Sequence, residues 1–247
     1  MQISKYNASG NDFIIFHTFI KKPRNNLAKK LCHRQKGIGA DGLIVIIPHD
    51  TYDFEWQFYN SDGSDAQMCG NGSRAAAHYA YINGLCSAKM EFLTVAGVIE
   101  ASIDKNLSEI KFTKPKTIQT DIKEEGFKWN FYDTGVPHIV TFVDDLNSYD
   151  KNIARKIRQK FNTNVNFAKL EGDDIHVRTY ERGVEDETLA CGTGMAACFY
   201  DAHLRGDIKT KAKVYPTSKE KLELSIVEGE IYFKGEVEKI FDTTIDE

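Results

Sequence analysis

The sequence predicts an α+β protein with two pseudo-symmetric halves. Each half is a curved, mostly antiparallel, barrel-like sheet around a central helix, and the cleft between the halves is the expected active site. Extended runs outnumber helical ones along the 247 residues. One Cys-Gly-x-Gly turn occurs twice, at Cys69 and Cys191, each time between an extended run and a helical run. The stretches around the two turns can be superposed, which indicates an internal repeat.

The extended runs alternate in polarity or are rich in β-branched and aromatic residues, as strands are. In chain order they are 2–6, 13–16, 43–47, 55–59, 98–103, 109–112, 128–132, 139–143, 174–180, 222–227 and 230–234. Four stretches are predicted to be helical, namely 25–34, 69–83, 152–161 and 191–205. The polar stretch 114–126 contains Pro115 and lacks periodicity, so it is predicted to be a linker.

The repeat extends beyond the two cysteine turns. A tyrosine precedes each cysteine, by ten residues in one half and eleven in the other, and a glycine follows each by fifteen. The stretch from Tyr6 to Phe13 parallels the stretch from Tyr132 to His138, which makes Val136 the counterpart of Asn11. The predicted domains are therefore residues 1–116 and 117–236.

Composition excludes several classes of protein. A net charge of −4 gives no reason to expect a nucleic-acid partner, which normally needs a basic face. The N-terminus lacks the apolar core of a signal peptide and no apolar run approaches about 18 residues, so a cytoplasmic protein without a membrane segment is expected. Five cysteines, an odd number without Cys-x-x-Cys spacing, fit a reducing compartment and no metal site.

The twin turns suggest acid/base chemistry with two thiols. A cysteine at a helix start has its thiolate stabilised by backbone N–H groups and the helix dipole. The same N–H groups would hold a carboxylate and stabilise the charge of a carbanion next to it. One thiolate could remove a proton from a carbon acid while the opposite thiol supplied one, inverting the centre without a cofactor. The alternative is two buried structural cysteines, and the duplication favours the catalytic pair.

Other motifs are weaker. The string Gly-x-Gly-x-x-Gly at 37–42 follows a helix and precedes a strand, the reverse of a dinucleotide site. Glu181 and Arg182 could bind a zwitterion near the second turn, or form an exposed salt bridge. His138 could be a core histidine or tune a thiol. Cys32, Cys86 and Cys198 are interpreted as packing residues.

Several motifs, spread over nearly the whole chain in the expected order, resemble those of the diaminopimelate epimerase family. They are Gly10-Asn11-Asp12-Phe13, Asn60-Ser61-Asp62-Gly63-Ser64, Cys69-Gly70-Asn71-Gly72, Gly135-x-Pro137-His138, Glu181-Arg182-Gly183 and Glu187-Thr188-Leu189-Ala190-Cys191-Gly192-Thr193-Gly194. The resemblance implies a cofactor-independent isomerase that interconverts LL- and meso-2,6-diaminopimelate, on the route to lysine and peptidoglycan.

The resemblance also implies residue roles. Cys69 and Cys191 would be the two acid/base residues, with a carboxylate cradle formed by Gly70, Asn71, Gly192 and Thr193. Further substrate contacts would come from Asn11, Asn60, Asn166, Glu181 and Arg182, and the cysteines would be tuned by His138 and Glu181. The family is commonly homodimeric, with Phe241 expected at the contact, and a C-terminal strand at about 237–247 would return to the first half.

The chain departs from the family pattern in three places. Gly42 stands where many members place a substrate-facing glutamine, and Val136 replaces the asparagine of Gly-Asn-Pro-His. The loop 184–187 is one residue longer than usual. An epimerase or racemase of another amino acid therefore stays open. A different class, a cysteine hydrolase or acyltransferase with His78 or His138 as base, would need one thiol only, and a non-catalytic binding module would need neither.

Overall fold

The computed structural model describes residues 1–66 and 68–245, so the last two positions of the predicted returning segment lie outside the described residues. The strands are β1 Gln2–Ala8, β2 Asn11–His17, β3 Gly42–Ile47, β4 Phe54–Asn60, β5 Lys89–Thr94, β6 Gly97–Asp104, β7 Leu107–Lys111, β8 Lys116–Glu124, β9 Phe127–Asp133, β10 Pro137–Phe142, β11 Asn164–Glu171, β12 Asp174–Glu181, β13 Asp186–Thr188, β14 Lys211–Tyr215, β15 Leu222–Val227, β16 Glu230–Glu236 and β17 Glu238–Thr244. The helices are α1 Asn25–Cys32, α2 Gly70–Ile82, α3 Lys151–Phe161 and α4 Gly192–Leu204.

The chain forms two compact units, one of residues 1–110 with the segment from Gly235 onward and the other of Lys111–Lys234. In the first unit the strand order is β17-β1-β2-β3-β4-β5-β6-β7, with parallel pairs only at β2–β3 and β4–β5 among the described strands. In the second it is β8-β9-β10-β11-β12-β14-β15-β16, with parallel pairs at the equivalent places. The predicted α+β class is confirmed.

Both units place their two helices at the same points of this order. Helices α1 and α3 connect the first parallel pair of strands, and α2 and α4 precede the last strand of the second parallel pair. Residues 70–80 of α2 are all buried, as are nearly all of 192–202 in α4. A helix that is buried on every side lies inside its unit rather than on the surface.

Alternation along the strands decides which residues face which helix. In β3, Leu43 and Val45 share a core cluster with Ala28 and Leu31 of α1. The intervening Ile44 faces α2, since a Cβ atom placed on Gly72 would lie 3.4 Å from its Cδ1 atom. Each sheet thus separates a peripheral helix from a central one, and the central-facing positions surround the start of α2.

The second unit repeats this arrangement. Val165 and Phe167 of β11 share a core cluster with Ala154 and Ile157 of α3. Asn166, between them, faces the start of α4, where its Oδ1 atom would lie 2.4 Å from a Cβ atom on Gly194.

Strand register makes the internal repeat explicit at single residues. Phe13 pairs with Gly42 and Ile44 with Phe58 in the first unit, while His138 pairs with Asn164 and Asn166 with Thr179 in the second. The equivalent positions are therefore Phe13 and His138, Gly42 and Asn164, Ile44 and Asn166, and Phe58 and Thr179.

The predicted linker at 114–126 is wrong, because most of it is strand β8 paired with β9. The sequence pattern does not indicate strand β8 for two reasons. Two irregularities break its register, near a residue with positive φ, Asp121. Nearly all side chains of β8 are also exposed, and Ile122 is its one residue in the core cluster. The strand therefore lacks the alternation of apolar and polar residues that marks a half-buried strand. Strands β5, β11, β13 and β14 also lie outside the runs predicted to be extended.

Candidate active site

Cys69 caps the N-terminus of α2. Its backbone is extended, at φ −147° and ψ 120°, and its Sγ atom accepts a hydrogen bond from the backbone N–H of Gly72 at 3.4 Å. The carbonyl of Cys69 accepts from the N–H of Ser73 at 2.8 Å, which starts the helical ladder. The half-buried sulfur therefore sits at the positive end of the helix dipole.

A directional chain of amides runs beside this turn. Arg74, fully buried, donates from Nη2 to Oδ1 of Asn71 at 2.9 Å, which fixes the orientation of that amide. Asn71 then donates from Nδ2 to Oδ1 of Asn11 at 2.6 Å, and Asn11 donates to Oδ2 of Asp41 at 3.1 Å. The chain thus joins a cation to a carboxylate and brings together two predicted binding residues, Asn11 and Asn71. Arg74 and Asp41 had no sequence signal as members of this network.

Asp12 stabilises the turn that carries Asn11. Arg34 binds it with both Nη atoms, at 3.0 and 2.9 Å, and Lys5 reaches the same carboxylate at 2.7 Å. Burial raises the pKa of Asp12, but the hydrogen bonds from Arg34 and Lys5 outweigh it and lower the pKa to about 2. The carboxylate therefore stays charged and paired at neutral pH.

Cys191 caps α4 in the corresponding way. Its backbone is extended and its carbonyl accepts from the N–H of Met195 at 2.9 Å. The side chain differs from that of Cys69, because the Sγ atom lies 3.6 Å from Oγ1 of Thr193. Thr134 also binds this turn, donating to the carbonyl of Thr193 at 2.8 Å.

His138 contacts the same threonine. Its Nε2 atom is 2.8 Å from Oγ1 of Thr193, and its Nδ1 atom is 3.1 Å from Nδ2 of Asn166. Burial lowers the pKa of His138 to about 3, with a smaller contribution from the charge of Arg182 and an opposing one from the Asn166 hydrogen bond. The imidazole is therefore neutral at physiological pH and does not act as a cationic partner.

Gly194 is required by this arrangement. A Cβ atom there would lie 2.4 Å from Oδ1 of Asn166 and 3.2 Å from both Cε1 of His138 and Oγ1 of Thr179. A Cβ atom on the equivalent Gly72 would meet neighbours only at ordinary contact distances of 3.4–3.5 Å. The last glycine of the second turn thus makes room for the histidine and asparagine side chains.

Glu181 and Arg182 lie at the end of β12 and in the turn that follows. The backbone N–H of Arg182 donates to Oδ1 of Asn164 at 2.8 Å, and its Nη1 atom donates to the carbonyl of Asn162 at 3.0 Å. The carbonyl of Glu181 accepts from the N–H of Glu185 at 2.8 Å. These hydrogen bonds hold the loop in place. Asn164, which was not predicted as a site residue, fixes the backbone of Arg182.

The remaining predicted residues lie as follows. Asn60 ends β4, is exposed, and binds Oγ of Ser64 at 3.0 Å. Asn166 is fully buried, and its amide is engaged by His138, Thr179 and the carbonyl of Ile139. Phe241 lies in β17, 42% exposed.

Gly42 admits no side chain in this structure. A Cβ atom there would lie 2.6 Å from the Phe58 ring and 2.8 Å from the carbonyl of Tyr59. The glutamine expected here from the family pattern has no room unless both the Phe58 ring and the backbone carbonyl of Tyr59 move.

The other cysteines are poor thiol catalysts. Burial raises the pKa of Cys32 to about 12 and that of Cys86 to about 11, and it raises the pKa of Cys198 as well. His78 is a poor base for Cys69, because it lies nine residues further along one helix, about 13 Å away. Its ring packs edge-on against that of Tyr6, with 5.7 Å between the two ring centroids. Within residues 1–66 and 68–245, no group of three or more His, Cys, Asp or Glu side chains could hold a metal ion.

Comparison with known proteins decides the family. The model of the family described as diaminopimelate epimerase matches residues 3–118 and 131–240. A diaminopimelate epimerase from Nitratiruptor sp. is 59% identical over 244 residues, covering 98% of both chains. The chain belongs to the diaminopimelate epimerase family. It is thus an isomerase. A diaminopimelate epimerase from Campylobacter lari is 55% identical, and the match covers 98% of both chains. One from Helicobacter pylori is 46% identical, and the match covers 97% of this chain and 94% of the relative.

Solved structures show that this epimerase shares its fold with more distant proteins. A predicted epimerase from Pseudomonas aeruginosa has a TM-score of 0.76 at 11% identity, covering 99% of this chain and 98% of its own. A hydroxyproline epimerase from Agrobacterium vitis has a TM-score of 0.68 at 14% identity, covering 98% and 91%. No helix among the described residues is both long and apolar enough to span a bilayer.

Proposed function

We propose that this epimerase interconverts LL- and meso-2,6-diaminopimelate by moving a proton at one α-carbon, with Cys69 and Cys191 as the two bases. The observation that carries the proposal is the duplicated Cys-Gly-x-Gly turn at the starts of two equivalent helices, in a chain that matches the family over nearly its whole length. The substrate is the one named for the relatives.

The chemistry needs a thiolate on one face of the α-carbon and a thiol on the other. The thiolate takes the α-proton and becomes a thiol, while the opposite thiol gives its proton to the other face and becomes a thiolate. The charge of the intermediate spreads onto the α-carboxylate. First-turn N–H groups of Gly70, Asn71, Gly192 and Thr193 have no acceptor in their own helix and would stabilise that charge. No cofactor takes part in these steps.

The far end of the substrate needs polar partners of both signs. Arg182 would bind the distal carboxylate and Glu181 the distal ammonium, with Asn11 and Asn60 as amide partners. Asn166 has a different role from the substrate contact expected for it. Because its amide is buried and engaged on all sides, it would position His138 instead.

Homodimerisation and a cytoplasmic location belong to the same proposal. Phe241 and its neighbour Ile240 are 42% and 47% exposed on β17, an apolar pair suited to a contact between two copies. Phe241 would lie at that contact.

A second candidate is an epimerase or racemase of another amino acid, favoured by the lack of room for a side chain at Gly42. The test is to incubate purified enzyme with LL-diaminopimelate and, separately, with a panel of L-amino acids, and to resolve the stereoisomers by chiral chromatography. We expect meso-diaminopimelate to form and the panel to stay unchanged. Inversion of a panel member without inversion of diaminopimelate would establish the second candidate.

A further inference from the structure

A buried polar cluster in the second unit occupies positions whose equivalents in the first unit are apolar. His138, Asn166 and Thr179 face the start of α4, whereas the equivalent positions in the first unit hold an apolar trio, Phe13, Ile44 and Phe58. Burying polar groups is costly unless each is hydrogen-bonded. Since the same fold is built with apolar residues in the first unit, the fold itself does not require the polar ones.

The orientation of the Asn166 amide follows from its neighbours. The carbonyl of Ile139 can only accept, so the atom 3.0 Å from it must be Nδ2. The Oδ1 atom accepts from the hydroxyl of Thr179 at 2.9 Å. The Nδ2 atom then presents its second proton to Nδ1 of His138 at 3.1 Å.

This orientation fixes the tautomer of His138. A ring nitrogen that accepts a hydrogen bond carries no proton, so the single proton of the neutral imidazole lies on Nε2. Nε2–H donates to Oγ1 of Thr193 at 2.8 Å. Nδ2 of Asn164 also lies 3.4 Å from Nε2, but two donors form no hydrogen bond, and that amide binds the carbonyl of Pro137 at 3.3 Å. Arg182 is the charge that acts on the ring, and it too disfavours a second proton.

The Thr193 hydroxyl accepts from His138, so its own proton is available to another acceptor. The sulfur of Cys191 lies 3.6 Å away, within hydrogen-bonding range for sulfur. Thr134 binds the carbonyl of Thr193 and leaves the hydroxyl to these two partners.

We propose that Asn166, His138 and Thr193 form a one-way hydrogen-bond chain whose last donor, the Thr193 hydroxyl, stabilises the thiolate of Cys191. They are positioning residues: Asn166 orients His138, His138 orients the Thr193 hydroxyl, and that hydroxyl favours the thiolate form of Cys191. The inference rests on the proposed role of Cys191 as an acid/base residue. It also makes the two thiols unequal, because the sulfur of Cys69 accepts from a backbone N–H instead.

The first test is the tautomer itself, which needs no substrate. Long-range ¹H–¹⁵N correlation spectra of the intact enzyme distinguish Nδ1–H, Nε2–H and imidazolium forms. A His138→Phe variant assigns the signal among the seven histidines. We expect a neutral ring with the proton on Nε2 at pH 7 and at pH 5. An Nδ1–H tautomer, or an imidazolium at pH 5, would overturn the chain.

The second test measures both thiolates in one sample. Iodoacetamide alkylation of Cys191 and Cys69 is followed by peptide mass spectrometry as a function of pH, without substrate. Thr193→Val removes the last donor, and we expect the alkylation midpoint of Cys191 to rise by about one pH unit, a tenfold loss of thiolate below it. The Cys69 midpoint should not move, and Thr193→Ser should restore that of Cys191.

Thr134→Val is the matched control, since it removes the hydroxyl that binds the carbonyl of Thr193 without interrupting the chain. It should leave the Cys191 midpoint in place. An unchanged midpoint in Thr193→Val, or an equal shift in Thr134→Val, would refute the role of the hydroxyl. These results are independent of whether diaminopimelate is the substrate, which the stereoisomer assay decides.

Discussion

His138 occupies the position in the second unit that Phe13 occupies in the first. Both pair with the first residue of the following parallel strand, Gly42 for Phe13 and Asn164 for His138. Both present their rings to the last glycine of a Cys-Gly-x-Gly turn, at 3.5 Å from a Cβ atom on Gly72 and 3.2 Å from one on Gly194. At these equivalent positions the duplicated scaffold thus places apolar side chains beside one cysteine turn and a polar network beside the other.

Replacing His138 by its counterpart should weaken the dependence of stability on pH. The native pKa of about 3 lies below the ordinary 6.5, so below pH 6.5 the unfolded chain binds a proton that the folded one does not. Stability is then lost as pH falls from about 6.5 toward 3. In His138→Phe this term is absent, and the unfolding free energy of the variant relative to wild type should rise by about 2–3 kcal/mol as pH falls from 6 to 4. Urea titrations at several pH values measure it, and a constant difference would contradict it.

Two glycine substitutions should differ sharply in cost. Gly194→Ala places a Cβ atom 2.4 Å from Asn166 and should destabilise the protein by about 1–3 kcal/mol through overpacking. Gly72→Ala meets only contacts of 3.4 Å or longer and should cost less than about 1 kcal/mol. Thermal unfolding of both variants measures the two losses of stability relative to wild type. Equal losses would contradict this prediction.

The Asp12 cluster should protect the protein against acid. Its folded pKa of about 2 lies below the ordinary 3.8, so the paired carboxylate adds stability above about pH 4 that is lost as pH falls toward 2. Asp12→Asn should lower stability at pH 7, and its deficit relative to wild type should shrink across that window. Acid unfolding followed by circular dichroism checks this, and a deficit independent of pH would show that the ion pairs are not responsible.

Each active-site thiol should be needed separately. Cys69→Ala and Cys191→Ala should each reduce the rate of epimerisation by at least about a hundredfold, the usual contribution of a general acid or base. Cys86→Ala is the control, because burial raises its pKa to about 11 and it should retain activity. Steady-state assays in both directions measure these rates. Survival of activity in one active-site variant would point to one-thiol chemistry, as in a hydrolase.

The twin turns and the fold class could be predicted from sequence because glycine and cysteine spacing is local information. The positioning role proposed for Asn166 could not be predicted from sequence, since it depends on register with Thr179 and on facing α4. Strand β11 was missed because two asparagines, poor strand formers, occupy its inward positions. The obstruction at Gly42 is invisible in sequence for a similar reason, as it arises from the ring of Phe58 on the neighbouring strand.

The central claim, inversion by two opposed thiols, is tested most directly by solvent exchange. LL-diaminopimelate is incubated with the enzyme in D₂O, and deuterium at the α-carbons of substrate and product is followed by NMR and mass spectrometry at early times. Two-base inversion predicts one deuterium at the inverted carbon of each meso product molecule, with none yet in the recovered LL-isomer. Early deuterium in the recovered LL-isomer, or meso product that keeps the original proton, would contradict it.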